Sequence, residues 1–213
     1  MQLYGFFRSS AAFRTRIALN LKGLTYGQVP INLRANEQRA GGYLQVNPMG
    51  IVPTLADGNA MLGQSLAIIE YLEETHPEPP LLPPAPADRA RVRAIAMDIA
   101  CEIHPVNNLR IRRYLLHTLG QDEKALEAWM NHWTKLGFDG IEPALAHDKR
   151  TGDFCHGDRP GIADICLVPG VFNARIYPSF DMEPYPTIRR IFDNCMKLEA
   201  FQRALPERQP DAV

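Results

Sequence analysis

Residues 77–86 read Pro-Glu-Pro-Pro-Leu-Leu-Pro-Pro-Ala-Pro, and this run divides the chain. A segment so rich in proline cannot form a helix, because proline lacks a backbone N–H and its ring clashes with the preceding turn. Such a run is typical of a stiff, extended connector between domains. The sequence therefore predicts a first domain at 1–76, a linker at 77–87 and a second domain at 88–213.

The segment before the linker mixes strand-like and helix-like patterns. Residues 34–47 are polar and predicted to be irregular, and Asp57-Gly58 is typical of a hairpin turn. Ser65 is predicted to cap the last helix of this segment. The predicted elements are, in order, a strand at 2–7, a helix at about 10–22, a strand at 26–33, a hairpin at 52–62 and a helix at 66–75.

The segment after the linker follows helical patterns throughout. A long helix is predicted from about 88 to 119, with a kink at Pro105, because proline removes a hydrogen bond within the helix. A second helix is predicted at 122–147, and closing helices at 185–205. Residues 162–173 are almost entirely apolar, and a helix that is apolar on all sides lies inside a core.

Charge and cysteine usage exclude several classes of partner. The net charge is −1 with a pI near 6.6, so no strong field favours nucleic acid or an anionic membrane. We identify no run long enough to span a bilayer and no secretory signal at the N-terminus. The four cysteines lie far apart without metal-ligand spacing, so we expect reduced thiols, no metal and a cytoplasmic protein.

The first helix begins at Ser9-Ser10, directly after the apolar run of the first strand. Apolar residues recur every fourth position along this helix, so Arg14 and Lys22 are predicted to point outward. Either serine hydroxyl can cap the helix, and its first N–H groups and its dipole attract an anion such as a thiolate. A capped helix without a ligand is the alternative that these residues leave open.

Six strings along the chain together resemble the zeta class of the cytosolic glutathione transferases. The resemblance covers nearly the whole chain and includes an SSCxWRVRIAL-type string at residues 8–19. The other strings are Asn47-Pro48, Val52-Pro53-Thr54-Leu55, residues 64–74, residues 163–169 and Gln209-Pro210-Asp211.

This resemblance implies an α+β two-domain fold and a specific chemistry. The fold would comprise a thioredoxin-like α/β domain with a mixed four-stranded sheet, followed by an all-α helical bundle. Members of the class use glutathione as cofactor, act on small dicarboxylates and form homodimers. The implied activity is cis–trans isomerisation of maleylacetoacetate or maleylpyruvate through reversible addition of the glutathione thiolate. Two alternatives stay open: conjugation or dehalogenation of small α-halo acids, and a non-catalytic module with the same fold.

The resemblance also implies site residues. Ser9 would contact the glutathione sulfur with support from Ser10, and Arg8 would complete the catalytic group. The Val52–Pro53 bond is expected to be cis, which exposes the Val52 backbone to pair with the peptide. The implied glutathione contacts are Ser9, Ser10, Ala11, Gln38, Val52, Pro53, Gln64, Ser65, His104 and Asn108. The implied contacts to the dicarboxylate are Arg8, His104, Arg110 and Arg175.

Three positions depart from the family pattern. Ala11 replaces a cysteine, which is tolerable because a serine would hold the sulfur. Gly161 replaces the Ser or Thr that caps the buried helix, although Asp164 can still reach back to the helix start. Arg175 stands one position before the family arginine, a rotation of roughly 100° on a helix. This shift leaves open whether Arg175 reaches the substrate.

Overall fold

A computed structural model describes residues 1–212, which form two compact units. The first comprises Met1–Leu81 together with the chain from Met196 onward, and the second comprises Leu82–Cys195. The division falls inside the predicted linker. The predicted second domain, 88–213, differs from this grouping at its C-terminal end, for a reason given below.

The first unit is an α/β layer built on a four-stranded mixed sheet, as predicted. The sheet order is β2-β1-β3-β4, with β1 parallel to β2 and antiparallel to β3. The elements are β1 (Gln2–Gly5), α1 (Ser10–Leu21), β2 (Gly27–Pro30), α2 (Gly41–Val46), β3 (Thr54–Asp57), β4 (Ala60–Gly63) and α3 (Ser65–Thr75).

The prediction of irregular chain at 34–47 is wrong in part. A 3-10 turn at Glu37–Arg39 and the helix α2 lie within this range. The helix buries the Tyr43 ring, whose hydroxyl donates to the carbonyl of Ile51 at 2.7 Å. This contact comes from packing against the loop that follows, so the local sequence of α2 does not reveal it.

Helices α1 and α3 pack together, and their starting ends carry the serines singled out above. Leu3 on β1 lies opposite Leu55 on β3, and both side chains are buried. Apolar side chains of the two helices fill the rest of this core, namely Phe13, Ile17, Leu19, Ile68, Ile69 and Leu72. Because the sheet and two helices share one core, the ends of α1 and α3 have defined positions.

Lys22 is buried, which corrects the prediction that it points outward. Its ammonium group forms a salt bridge with Glu73 of α3 and donates to the carbonyls of Pro77 and Pro79. Glu73 in turn accepts from the backbone N–H of Leu81. This ion pair therefore ties the beginning of the proline-rich segment to the first unit.

The regular elements of the second unit, which lies wholly within the described residues, are all helices, as the pattern predicts. Its helices are α4 (Pro86–Met97), α5 (His104–Asn107), α6 (Leu109–Arg113), α7 (Glu123–Ala146), α8 (Ile162–Ala174) and α9 (Pro186–Cys195). Single π-helical stretches at Asp98–Ile103 and Tyr114–Thr118 interrupt the first part. The helix is broken at Asn108, whose backbone is extended, three positions after the proline at which a kink is predicted.

Asp164 carries the cap that Gly161 cannot provide for the buried helix α8. Its carboxylate is 1% exposed and accepts from the backbone N–H groups of Gly161 and Cys155, both at 2.8 Å. Burial raises the pKa of Asp164, and the two N–H donors act in the opposite direction. The reach of Asp164 back to the helix start is thus confirmed.

The last helix, α10 (Glu199–Ala204), packs on α1 and therefore belongs to the first unit. Asn20 of α1 donates to the carbonyl of Ala200, and Arg16 donates to the carbonyl of Ala204. These bonds explain why the chain from Met196 onward groups with the sheet. No helix within residues 1–212 is both long and apolar enough to cross a lipid bilayer.

Candidate functional site

Ser9 lies at the N-cap of α1, as predicted. Its backbone is extended, with φ −71° and ψ 117°, and its Oγ accepts from the N–H of Ala12 at 3.2 Å. A hydroxyl that accepts through a lone pair keeps its own proton free to donate. Ser9 can therefore cap the helix and donate to an anion at the same time, while Ser10 is the first residue of the helix and is buried.

Two neighbours of Ser9 define what else this helix start offers. Arg8 is exposed, and its guanidinium has no hydrogen-bond or salt-bridge partner among residues 1–212. Ala11 is buried where the family has a cysteine, so this position carries no thiol. The helix start thus presents a hydroxyl donor and a free cation without a nucleophile of its own.

A second helix start, that of α3, presents Gln64 and Ser65. Gln64 is exposed and has a φ of 66°, a left-handed conformation that is uncommon for residues other than glycine. Ser65 is buried as the first helical residue, so the predicted capping role belongs to the Gln64 position instead. The free N–H groups of this first turn form a suitable place for a carboxylate.

Arg14 lies behind Ser65, which corrects the prediction that Arg14 points outward. The residue is 2% exposed, and its Nη1 is 3.5 Å from the Ser65 Oγ, at the long limit of a hydrogen bond. A buried guanidinium here adds positive charge at the start of α3. The burial of Arg14 could have been predicted from the small residues around it in α1, such as Ala11 and Ala18. Small residues of this kind are typical of a helix that is buried on every side.

The Val52–Pro53 bond is cis, as the resemblance implies. The loop before it is held in place by Asn47, whose side-chain amide donates to the carbonyl of Ile51 at 2.9 Å, and by the Tyr43 hydroxyl on the same carbonyl. Burial raises the pKa of Tyr43, so its hydroxyl stays protonated as a donor. Within residues 1–212, the backbone N–H and C=O of Val52 form no hydrogen bond, although its side chain is buried.

Gln38 also has an unused polar atom. Its Nε2 donates to the Asn36 side chain at 2.8 Å, whereas its buried Oε1 has no partner within the described chain. Gly50 packs against the backbone of Gln38 and has a φ of 59°. A Cβ at this position would lie 2.8 Å from the Gln38 carbonyl oxygen, which is too close for any residue with a side chain. Gly50 therefore lets the loop that carries Val52 approach Gln38.

The remaining predicted residues lie in the second unit. His104 begins α5, and Asn108 caps α6 by accepting from the N–H groups of Arg110 and Ile111. This cap leaves the Asn108 amide nitrogen as its available donor, and the Arg110 side chain is exposed.

Arg175 is engaged by its own unit. Its guanidinium lies over the Phe192 ring, 4.2 Å from the ring centroid, and is 4.0 Å from the carboxylate of Asp193. Both partners lie on α9. The displaced position of this arginine thus places its charge beside an aromatic face and a carboxylate, an arrangement that holds the side chain against α9.

The groups that the first unit assembles suit a peptide with a thiol and carboxylates. They comprise a hydroxyl donor at one helix start and anion-attracting N–H groups at another. They also include the backbone N–H and C=O of Val52 and an amide oxygen of Gln38, none of which has a partner among residues 1–212. Glutathione has a matching set of groups, with one thiol, two carboxylates, one amine and two peptide bonds. The donor set of this chain therefore fits glutathione.

Comparison with known proteins adds independent information. Residues 1–74 match the family model for the glutathione S-transferase N-terminal domain. A curated relative, the probable maleylacetoacetate isomerase of Vibrio cholerae, is 47% identical over 212 residues, covering 99% of this chain and 97% of the relative.

Solved structures are equally similar. The holo structure of a maleylpyruvate isomerase, described as a bacterial zeta-class glutathione S-transferase, has a TM-score of 0.98 at 46% identity and covers both chains fully. The maleylacetoacetate isomerase of Methylobacterium extorquens, with malonate and glutathione bound, has a TM-score of 0.96 at 41% identity, again over both whole chains.

Proposed function

Because the chain belongs to the zeta class of the glutathione S-transferase family, we propose that it is a glutathione-dependent isomerase of maleylacetoacetate or maleylpyruvate. When bound, glutathione supplies a thiolate that adds to the cis double bond, permits rotation and is then eliminated. The observation that carries the proposal is the helix start at Ser9, where a hydroxyl donor stands without any protein thiol beside it.

The proposal assigns each group of the first unit to one part of glutathione. The Ser9 hydroxyl donates to the sulfur and stabilises its anion, since donors and helix N-termini lower thiol pKa values. The first turn of α3, at Gln64 and Ser65, receives the γ-glutamyl carboxylate with the charge of Arg14 behind it. The Val52 backbone pairs with a peptide bond of glutathione, and the Gln38 Oε1 accepts one of its N–H groups.

Arginines are the proposed contacts for the substrate carboxylates, because guanidinium groups bind carboxylates in a planar, bidentate geometry. Arg8 is the strongest of them, since it is adjacent to Ser9 and has no hydrogen-bond or salt-bridge partner among residues 1–212. Arg110 is exposed and is the second proposed contact. Arg175 is a poorer candidate for binding a substrate carboxylate, because its guanidinium already lies against Phe192 and Asp193 of α9. His104 and Asn108 stay proposed contacts of glutathione or substrate from the second unit.

We expect Arg8→Ala and Arg110→Ala each to raise the KM for the maleyl acid by about ten- to a hundredfold while leaving glutathione affinity unchanged. The reason is that a charge-assisted hydrogen bond to a carboxylate contributes about 1.5–3 kcal/mol, and 1.4 kcal/mol corresponds to tenfold. Steady-state kinetics gives the KM, and calorimetry gives the glutathione affinity. Arg159→Ala, at an exposed position in the second unit, is the control. Loss of glutathione binding in both variants would contradict this assignment.

The proposed activity has a direct test. The protein is mixed with maleylpyruvate or maleylacetoacetate in the presence and absence of glutathione, and the ultraviolet spectrum is followed. We expect conversion to the fumaryl isomer with glutathione and none without it. If neither substrate changes in a glutathione-dependent way, the proposed activity is wrong.

The contacts of Arg175 favour a second candidate activity. An arginine held against Phe192 and Asp193 is less suited to the distal carboxylate of a long diacid, and a shorter α-halo acid needs no such contact. The second candidate is therefore glutathione-dependent dehalogenation at the same Ser9 site. Chloride release from dichloroacetate, measured beside the isomerase assay, ranks the two activities.

We also propose a cytoplasmic homodimer. Dimerisation rests on the resemblance to the zeta class. The cytoplasmic location is supported by free thiols, because Cys101, Cys155, Cys166 and Cys195 form no disulfide. Sedimentation equilibrium tests the oligomeric state, since a dimer has twice the mass of the 23.9 kDa chain.

A further inference from the structure

Both backbone groups of Phe7 are held by side chains from other parts of the first unit. The N–H of Phe7 donates to the Asp211 Oδ2 at 2.9 Å, and its C=O accepts from the Arg16 Nη2 at 3.0 Å. Asp211 stands 204 positions away in the sequence, whereas Arg16 lies on α1. The residue immediately before Arg8 is thus clamped from two sides.

This clamp lies directly before the Ser9 hydroxyl. The N–H of Ser9 donates to the carbonyl of Phe6 at 2.9 Å, which closes a turn over residues 6–9 with Phe7 inside it. Because Phe7 cannot shift without breaking both bonds, the turn is fixed at its centre. Asp211 and Arg16 are thus linked to Ser9 through the backbone of this turn, and no hydrogen bond joins either side chain to Ser9 within residues 1–212.

The tail that carries Asp211 is itself anchored. Gln209 is buried, and its side-chain amide donates to the carbonyls of Arg203 and Leu205 at 2.9 and 2.7 Å. Its Oε1 accepts from the Gln28 side chain on β2, and the N–H of Ala212 closes a turn onto the Gln209 carbonyl. These bonds fix the turn over residues 209–212, and this turn places the Asp211 carboxylate beside the N–H of Phe7.

The electrostatics of the clamp keep Arg16 in its charged form. Arg16 is 2% exposed, and burial lowers its pKa to about 10, while Tyr26 and the negative charge of Asp211 act to raise it. Arg16 therefore stays charged at neutral pH. Asp211 serves two purposes, as acceptor for the Phe7 N–H and as a negative charge near a buried guanidinium.

We propose that Asp211 and Arg16 are positioning residues of the reaction, which act through the Phe7 backbone to hold the Ser9 hydroxyl where the glutathione sulfur is stabilised. The proposal rests on the proposed function. It assigns a role in the active site to the Gln209-Pro210-Asp211 string at the far end of the sequence.

The test compares Asp211→Ala, which removes the acceptor, with Asp211→Asn, which keeps one carboxamide oxygen. Glu207→Ala is the matched control, because Glu207 is an exposed acid of the same tail. Hydrogen exchange at the Phe7 and Ser9 amides is measured on the protein without ligand, together with glutathione affinity, kcat and KM. We expect Asp211→Ala to speed exchange at both amides and to lower kcat by about ten- to a hundredfold, since small misplacements cost this much. We expect the KM for the maleyl acid to be unchanged, and Asp211→Asn to recover most of the loss.

Three results would overturn the proposal: unchanged amide exchange in Asp211→Ala, unchanged kcat in a folded Asp211→Ala, or equal losses in the Ala and Asn variants. A loss of kcat that only follows the unfolded fraction, read from circular dichroism, also overturns it. If the unaltered chain binds glutathione but isomerises neither maleyl acid, the proposed function is wrong. The role of the clamp is then tested by comparing the glutathione affinities of the variants. In that case, weaker binding in Asp211→Ala with recovery in Asp211→Asn supports the clamp, and equal affinities reject it.

Discussion

Replacing Ser9 with alanine is expected to lower kcat by about a hundred- to a thousandfold. Losses of this size are typical when one preorganised hydrogen-bond donor to an anion is removed from an active site. The hydroxyl that caps α1 is the donor proposed for the glutathione sulfur, and Ala11 leaves no thiol to replace it. Glutathione itself should still bind, although less tightly, because the proposed contacts at α3 and Val52 to one of its carboxylates and to a peptide bond stay in place. Stopped-flow or steady-state kinetics with saturating glutathione measures the loss.

Two controls separate chemistry from helix stability. Ser9→Ala also removes an N-cap, a change that costs about 1 kcal/mol. Asp122→Ala removes the equivalent cap of α7, where Asp122 accepts from the Ala125 N–H at 2.7 Å, and should lose a similar stability while retaining activity. Ser9→Thr keeps a hydroxyl and should retain most of kcat. Near-normal kcat in Ser9→Ala would refute the assigned role of the serine.

The largest expected change in stability comes from Lys22→Met, at about 3–5 kcal/mol, the range for removing one partner of a buried ion pair. The Lys22 side chain is fully buried, and the variant leaves the Glu73 carboxylate without its counter-charge. The carbonyls of Pro77 and Pro79 lose their donor as well. Urea unfolding, followed by circular dichroism, gives the free energy of unfolding.

The same substitution at an exposed pair provides the control. Lys135 and Asp139 form an i,i+4 salt bridge with side chains 65% and 45% exposed, so Lys135→Met should change stability by less than about 0.5 kcal/mol. Adding Glu73→Gln to Lys22→Met should recover part of the loss, because it removes a buried negative charge that has lost the Lys22 ammonium group. Equal effects of Lys22→Met and Lys135→Met would show that burial of the pair contributes nothing.

Most regular elements could be predicted because their patterns are local. The helix predicted at 122–147 is observed at Glu123–Ala146, and that predicted at 162–173 is observed at Ile162–Ala174. The Asp57-Gly58 turn lies between β3 and β4 as expected. In each case a repeating apolar pattern or a turn pair carries the information within a few residues.

The prediction that Arg14 and Lys22 point outward was wrong for a physical reason. An apolar period marks one buried face, but α1 packs against α3 and α10 and is buried almost completely. The partners that make burial of Arg14, Arg16 and Lys22 tolerable come from distant positions, such as Ser65, Ala204 and Glu73. A period of 3.6 residues contains no information about such partners.

The sequence by itself determined the two-part architecture, the helix start with a hydroxyl in place of a thiol, and the family, because each depends on a local string or on the order of strings. Only the tertiary structure decided which cations are buried, that α10 and the tail join the first unit, and that Asp211 meets Phe7. These facts depend on contacts between residues far apart in the chain. The free energy of such contacts is determined by burial and geometry, which appear only once the chain has folded.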